Sequence, residues 1–183
     1  YLSNDWVMTN LPNLFYPRNR LGWICAMTGY SYVNQLQGPV YKYLKEQGLL
    51  LKALDEDKLK NRGKDKFIQL MAVSYLWEGE SLEQEDCLIK VVIDRQKRDE
   101  LRELIWFIWS FRNHDENTNE FTQKIFALWR LLLKVVDSNM LEGEQLASQL
   151  CHWVAFVRKL EDEQLNWLIK IAPFAEIDHN APD

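Results

Sequence analysis

The chain has 183 residues, of which 47% are apolar and 27% are charged, and its formal net charge at pH 7 is −5. This composition is typical of a globular chain and excludes a disordered one, and the length fits one domain or one part of a longer array. The negative charge argues against a nucleic-acid binder that is attracted through its overall field. No signal peptide is visible and no apolar run approaches the roughly 18–20 residues that span a bilayer, so we expect a cytoplasmic protein.

The N-terminal part of the chain, residues 1–35, is predicted to be largely irregular. Ser3, Asn4 and Asp5 can cap a short helix that Pro12 ends, because proline lacks the N–H that a helix interior needs. Asn19 is a plausible cap for a second helix. The apolar residues of that helix are Leu21, Trp23, Ile24 and Met27.

Residues 36–175 are predicted to form the packed helices, since no proline occurs between residues 40 and 172. Gly38-Pro39 is typical of a helix start, with proline in the first turn. Val40, Tyr43 and Leu44 then share a face until Gly48 breaks the helix. A charged loop follows, and a longer helix is predicted from about Lys64 to Trp77. Its apolar stripe contains Phe67, Leu70, Met71 and Ser74.

The helix that Asn117 or Thr118 can cap is apolar over half of its circumference. It has two stripes at helical spacing, which are Phe121, Ile125, Leu128, Leu132 and Val135, and Phe126, Trp129, Leu133 and Val136. Such a helix has to be covered on two sides.

Two further helices are predicted after this one. The apolar stripe of the first contains Leu146, Leu150, Trp153, Val157 and Leu160, with Ala147, Cys151 and Val154 beside it. Asp162 is predicted to cap the last helix, and its apolar residues are Leu165, Leu168, Ile169 and Ala172.

These elements predict an all-α fold of stacked antiparallel helical hairpins, similar to HEAT or armadillo arrays, with about seven to nine helices. The segment that begins at Trp109 weakly resembles the one that begins at Trp153, and their spacing falls within the roughly 40–47 residues of paired-helix repeats. We expect residues 1–183 to form a single helical-repeat domain or a fragment of a longer array, with an acidic tail at 176–183. The first residue, Tyr1, is not methionine, which suggests a fragment or a processed product.

The sequence predicts neither a cofactor nor a metal site. The seven glycines never cluster as a phosphate loop requires. His114, His152 and His179 have no partner at metal-ligand spacing, and the run His114-Asp115-Glu116 is interpreted as a solvated loop. The scattered cysteines Cys25, Cys87 and Cys151 predict buried, reduced thiols and no disulfide framework. We therefore expect no enzymatic activity in this segment.

Candidate partner-binding residues come from two sources. Trp106 and Trp109 leave the segment 101–111 with almost no polar face, so it has to be enclosed by neighbours or by a partner. Two basic stretches, 58–66 and 95–102, could contact phosphates through Lys60, Arg62, Arg98 and Arg102. Carboxylates surround both stretches, which favours an ordinary solvated surface.

The chain also resembles a known family. Leu128-Trp129-Arg130 is followed by Cys-His-Trp-Val-Ala-Phe at 151–156 and Lys-Leu-Glu-Asp-Glu-Gln-Leu at 159–165. Upstream, Trp23 is followed by Gly-Pro-Val-Tyr-Lys-Tyr-Leu-Lys at 38–45. This order resembles the helical C-terminal region of large bacterial antiphage defence proteins, which join a sirtuin-type NAD-hydrolysing domain or a STAND-type NTPase to a long helical array. The resemblance covers about residues 20–175.

The resemblance implies a sensor or scaffold that recognises a phage protein or contacts the rest of its own chain. Any NAD or ATP chemistry would then lie outside these 183 residues. The alternative hypothesis is a nucleic-acid-binding helical domain that uses stretches 58–66 and 95–102. A third, a small helical hydrolase, requires acidic or histidine side chains that converge in one pocket.

Overall fold

The computed structural model describes residues 4–113, 119–138 and 140–175, and these residues are helical without a strand. Within them the chain forms ten α-helices and two short 3₁₀ segments, which confirms the all-α class and exceeds the predicted seven to nine helices. The predicted loop at His114, the caps Asn117 and Thr118, and the acidic tail at 176–183 lie outside the described residues.

The chain divides into two compact units, which are residues 1–79 and 80–183. The first unit contains α1 (Asn4–Leu14), α2 (Arg20–Tyr30), α3 (Gly38–Glu46), α4 (Leu49–Leu54) and α5 (Asn61–Trp77). The second contains α6 (Leu88–Asp94), α7 (Arg98–Trp109), α8 (Asn119–Ser138), α9 (Met140–Cys151), the 3₁₀ segment His152–Phe156, α10 (Asp162–Ile171) and the 3₁₀ segment Ala172–Phe174.

Capping residues, proline and glycine determine several helix ends in the first unit. The Asn19 side chain accepts a hydrogen bond from the N–H of Gly22 at 3.2 Å, which confirms the predicted cap of α2. Pro39 lies in the first turn of α3 as predicted. Gly48 adopts a left-handed conformation with φ of 64°, which glycine tolerates without steric cost, so α3 ends and α4 begins there.

Two predictions for the first unit were wrong. Helix α1 continues past Pro12 to Leu14, and Leu11 beside the proline is buried. The predicted charged loop is confined to residues 55–60, because residues 49–54 form the helix α4, whose Leu49, Leu50, Ala53 and Leu54 are buried. Short apolar runs of this length do not show whether they are helical until their packing is known.

The apolar faces of α2, α3 and α5 agree only in part with the predicted ones. The α5 stripe of Phe67, Leu70, Met71 and Ser74 is buried as predicted, and so are Trp23 and Met27 of α2. Leu21 is instead 66% exposed, and in α3 the buried side chains are Tyr41 and Leu44. Tyr30 packs between the rings of Phe15 and Phe67, and burial raises its pKa to about 12.

In the second unit α9 is the central helix. It contacts α7, α8, α10 and both 3₁₀ segments. Helix α8 packs closely on α9, and all nine residues of its two predicted stripes are buried or half-buried. The rings of Trp129, Trp153 and Trp167 meet here, with centroids 6.0 Å apart for Trp129 and Trp153 and 5.2 Å for Trp129 and Trp167. Burial of α8 on two sides therefore confirms the sequence-based prediction.

The prediction of one helix that continues through Leu160 was wrong for the residues after Cys151. Helix α9 ends at Cys151, a 3₁₀ segment follows to Phe156, and Val157 is extended. In a 3₁₀ turn residues i and i+3 are aligned, so Trp153 and Phe156 both point into the core, with ring centroids 6.3 Å apart. The Trp153 Nε1 atom also donates a hydrogen bond to the Ile105 carbonyl at 3.1 Å. Val154 and Leu160, predicted to be apolar helix faces, are exposed.

Trp153→Ala should lower the free energy of unfolding of the second unit by about 3–5 kcal/mol, because it empties a fully buried site and removes the indole hydrogen bond to the Ile105 carbonyl. Urea unfolding followed by circular dichroism measures this loss. Trp106→Ala is the control, since Trp106 is 44% exposed and its removal should cost no more than about 1 kcal/mol. A loss below about 1 kcal/mol for Trp153→Ala would contradict the packing described above.

Candidate functional site

A pocket in the first unit brings one of the basic stretches together with the end of α2. It lies where the C-terminal end of α2 meets the loop before α5 and the first turn of α5. One side is formed by Thr28, Ser31 and Tyr32, and the other by Lys58, Leu59, Lys60, Arg62 and Gly63. The cavity volume is about 160 Å³, which holds a group of several heavy atoms but is smaller than a typical drug-sized site.

The pocket is strongly cationic. Lys58, Lys60 and Arg62 line it, and no carboxylate does. Among the residues that the structure describes, none of these side chains forms an ion pair. The Arg62 guanidinium lies 6.0 Å from the ring centroid of Tyr32, an outer-range cation–π contact. Lys60 and Arg62, both predicted candidates, therefore face a common cavity.

The loop that carries Lys58 is held in place by Glu56. This carboxylate is only 8% exposed, and it accepts hydrogen bonds from Arg20 Nε at 3.1 Å and Arg20 Nη2 at 2.7 Å. The backbone N–H of Lys58 donates to the same carboxylate at 3.2 Å. The Arg20 hydrogen bond, followed by the Lys58 N–H bond, lowers the pKa of Glu56. Glu56 therefore binds Arg20 directly and also interacts electrostatically with Lys58 at the edge of the pocket.

The first turn of α5 adds backbone donors to the same region. Its N-cap residue, Lys60, has no side chain that accepts a hydrogen bond from the helix. The N–H groups of Gly63 and Lys64 both bond to the Lys60 carbonyl, whereas those of Asn61 and Arg62 find no acceptor in the described part of the chain. Free N–H groups at a helix start favour negative charge.

The other predicted candidates lie in the second unit. Trp106 and Trp109 are neighbours on α7, with ring centroids 4.8 Å apart, but only Trp106 is exposed. Trp109 is covered by the Arg112 guanidinium, 3.6 Å from its centroid, and by the His152 ring at 5.5 Å. Trp109 is therefore a packed residue. The helix was predicted to be enclosed by neighbours or by a partner. Neighbours bury Leu101, Leu104, Ile105, Ile108 and Trp109, whereas Trp106 is left exposed.

The basic stretch 95–102 is largely engaged within its own unit. Arg95 and Lys97 contact Glu100 at 2.9 Å and 3.9 Å, and Arg102 contacts Asp99 at 3.8 Å. Arg98 donates a hydrogen bond to the Gln145 side chain. The four basic side chains of this stretch therefore have ion-pair or hydrogen-bond partners, whereas Lys58, Lys60 and Arg62 form no ion pair among the described residues.

An exposed apolar face on α10 was not recognised as a candidate site. The predicted core residues Leu165 and Ile169 are 40% and 62% exposed, and the buried side chains of α10 are Gln164, Trp167 and Ile171. The prediction for this helix was wrong because α10 has apolar residues on two sides and packing on α9 covers only one. Its predicted cap was also wrong, since the N-cap is Glu161 and Asp162 is the first helical residue.

The other features of interest among the described residues are metal-ligand groups, cysteines and apolar helices. Groups of His, Cys, Asp or Glu that could hold a metal ion are absent from them. Cys87 is buried as predicted, whereas Cys25 is exposed and Cys151 is half-buried, which corrects the prediction that all three are buried. Burial raises the pKa of the Cys151 thiol, which donates to the Ile171 carbonyl at 3.6 Å. None of the described helices is long and apolar enough to cross a membrane.

Comparison with protein-family models gave no match, and searches of curated proteins and solved structures gave no significant match either.

Glu56→Gln should lower stability at pH 7 and flatten its dependence on acid pH. A carboxylate whose pKa is lower in the folded state stabilises the fold above its unfolded pKa of about 4.3, and this contribution disappears as pH falls through the folded value. Urea unfolding between pH 7 and pH 2.5 measures the difference from wild type.

Glu46→Gln is the control for this measurement. Glu46 is 58% exposed and only 3.9 Å from Lys42, so its substitution should leave the pH curve almost unchanged. An equal change in the Glu56 and Glu46 variants would show that Glu56 does not anchor the loop.

Proposed function

We propose that this chain is a non-enzymatic protein-interaction domain, and that the outer face of α10 is the surface that binds a protein partner. The observation that carries the proposal is the exposure of Leu165 and Ile169, one helical turn apart, on a helix whose opposite side is buried. Apolar side chains at this spacing are typical of a helix face that packs against another helix.

The position of α10 is well defined, as a docking surface requires. Arg130 of α8 donates two hydrogen bonds of 2.6 Å to the Glu163 carboxylate, and its guanidinium lies 5.3 Å from the Trp167 ring centroid. The Arg130 hydrogen bonds lower the pKa of Glu163. Bidentate arginine contacts of this kind restrict orientation, so the apolar face is presented on a preorganised helix.

We further propose that the chain belongs to a bacterial antiphage protein in which it acts as a cytoplasmic sensor or scaffold. The support is the family resemblance of the segments at 128–130, 151–156 and 159–165, the last of which reaches into the start of α10. The close packing of α8 on α9 is compatible with a helical-hairpin array. In this proposal the partner is a phage protein that offers a complementary apolar helix, and any enzymatic step takes place in another domain.

Nucleic-acid binding through the basic stretches 58–66 and 95–102 is the alternative function, and three cations of the first stretch line the pocket. The stretch 95–102 contributes less than its sequence suggests because its cations are engaged. A nucleic-acid binder would show an affinity for DNA or RNA that falls steeply with salt.

The double substitution Leu165→Asp and Ile169→Asp should abolish partner binding and leave the melting temperature within a few degrees of wild type, since both side chains are exposed. Wild-type and variant chains serve as baits in nuclease-treated lysates of phage-infected and uninfected bacteria. Binding is then measured with the purified captured protein. We expect a protein that only the wild-type chain retains, and only after infection.

Leu21→Asp is the control bait, because Leu21 is 66% exposed on α2 of the other unit and should not affect binding. Retention of the same purified protein by the Leu165→Asp and Ile169→Asp variant would rule out the α10 face. Capture that nuclease removes would favour the nucleic-acid alternative.

A further inference from the structure

We propose that the pocket between α2 and α5 binds the phosphate group of a small phosphorylated molecule, as a phosphate monoester. This inference is independent of the interaction face on α10, because every residue that lines the pocket belongs to the first unit.

The first argument is the charge of the cavity. Lys58, Lys60 and Arg62 place three cations around one opening, and the described residues supply no ion-pair partner for any of them. The nearest buried carboxylate, Glu56, is fixed by Arg20 through two hydrogen bonds. Lys58 interacts electrostatically with Glu56, and an anion in the opening would reduce the remaining repulsion among the three cations.

The second argument concerns the helix ends. Cations near the C-terminus of α2 could simply satisfy its last carbonyl groups. Those carbonyls are already used, because the N–H groups of Ser31, Tyr32 and Val33 bond to the carbonyls of residues 27–30. On the other side, the unpaired N–H groups of Asn61 and Arg62 at the start of α5 provide backbone donors for an anion.

The third argument is the size of the cavity. About 160 Å³ accommodates a phosphate with a short organic group. The ring of Tyr32 and the side chain of Leu59 line the same cavity and offer an apolar wall for that group. Two charges on a monoester match the surplus of cations better than the single charge of a nucleic-acid diester.

The test is a titration of the whole 183-residue chain at constant ionic strength with inorganic phosphate, glycerol 3-phosphate and a single-stranded RNA that lacks terminal phosphates. Amide NMR shifts locate the binding site, and calorimetry gives the affinity. We expect saturable shifts at Asn61, Arg62 and Gly63 with both phosphate compounds. Affinity for glycerol 3-phosphate should rise from pH 5.5 to pH 7.5, because the monoester loses its second proton near pH 6.

Lys60→Gln combined with Arg62→Gln should weaken the binding of glycerol 3-phosphate by at least about tenfold, since each removes a charge-assisted hydrogen bond. Arg98→Gln combined with Arg102→Gln is the matched control, with the same change in net charge, and should alter the affinity less than about twofold. Circular dichroism shows whether each variant is folded, and the wild-type NMR shifts test the site without any substitution.

Three results would overturn the inference. The first is the absence of saturable shifts at the start of α5 in the wild-type chain. The second is an equal loss of affinity in the two double variants. The third is tighter binding of the RNA than of glycerol 3-phosphate at this site, which would assign the pocket to nucleic acid.

Discussion

The second unit depends on the burial of α8 from two directions. Its two apolar stripes require neighbours on both sides, and α9 together with the aromatic residues Trp153 and Trp167 provides them. Because large rings fill these seams, the chain after α9 has to present Trp153 and Phe156 in one direction. A 3₁₀ turn aligns residues i and i+3 on one side, whereas in a continued α-helix the two side chains would be about 60° apart. The core of this unit therefore determines where the helix ends and where α10 begins.

The first unit is organised around a buried polar contact. Glu56 lies in the connection between α4 and α5, where a buried carboxylate is stable only when hydrogen bonds satisfy it. Arg20 supplies them from the first residue of α2. The same contact fixes the backbone from which Lys58 and Lys60 extend, so an interaction that serves stability also sets the geometry of the cationic pocket.

The candidate sites show how far residue type alone can indicate function. Lys60 and Arg62 were predicted from their charge, and both line the pocket. Thr28 and Ser31 line the opposite side of the cavity, and no pattern in the sequence predicted them. Arg98 and Arg102 had the same signal and are engaged by Gln145 and Asp99. The sequence shows which residues are charged. Whether a charged side chain can bind a ligand depends on whether it already has a partner, and that partner can be distant in the chain.

The sequence by itself determined the all-α class, the cap at Asn19, the break at Gly48 and the two-sided burial of α8, because each follows from local backbone preferences or from helical periodicity. The tertiary structure decided which apolar face of α10 is buried, where α9 ends, and that the residues after Gly48 are helical. Periodicity shows that a face is apolar but not whether a neighbour covers it. Leu165 and Ile169 have the spacing of core residues, but both lie at the surface because α10 packs on α9 through its opposite side.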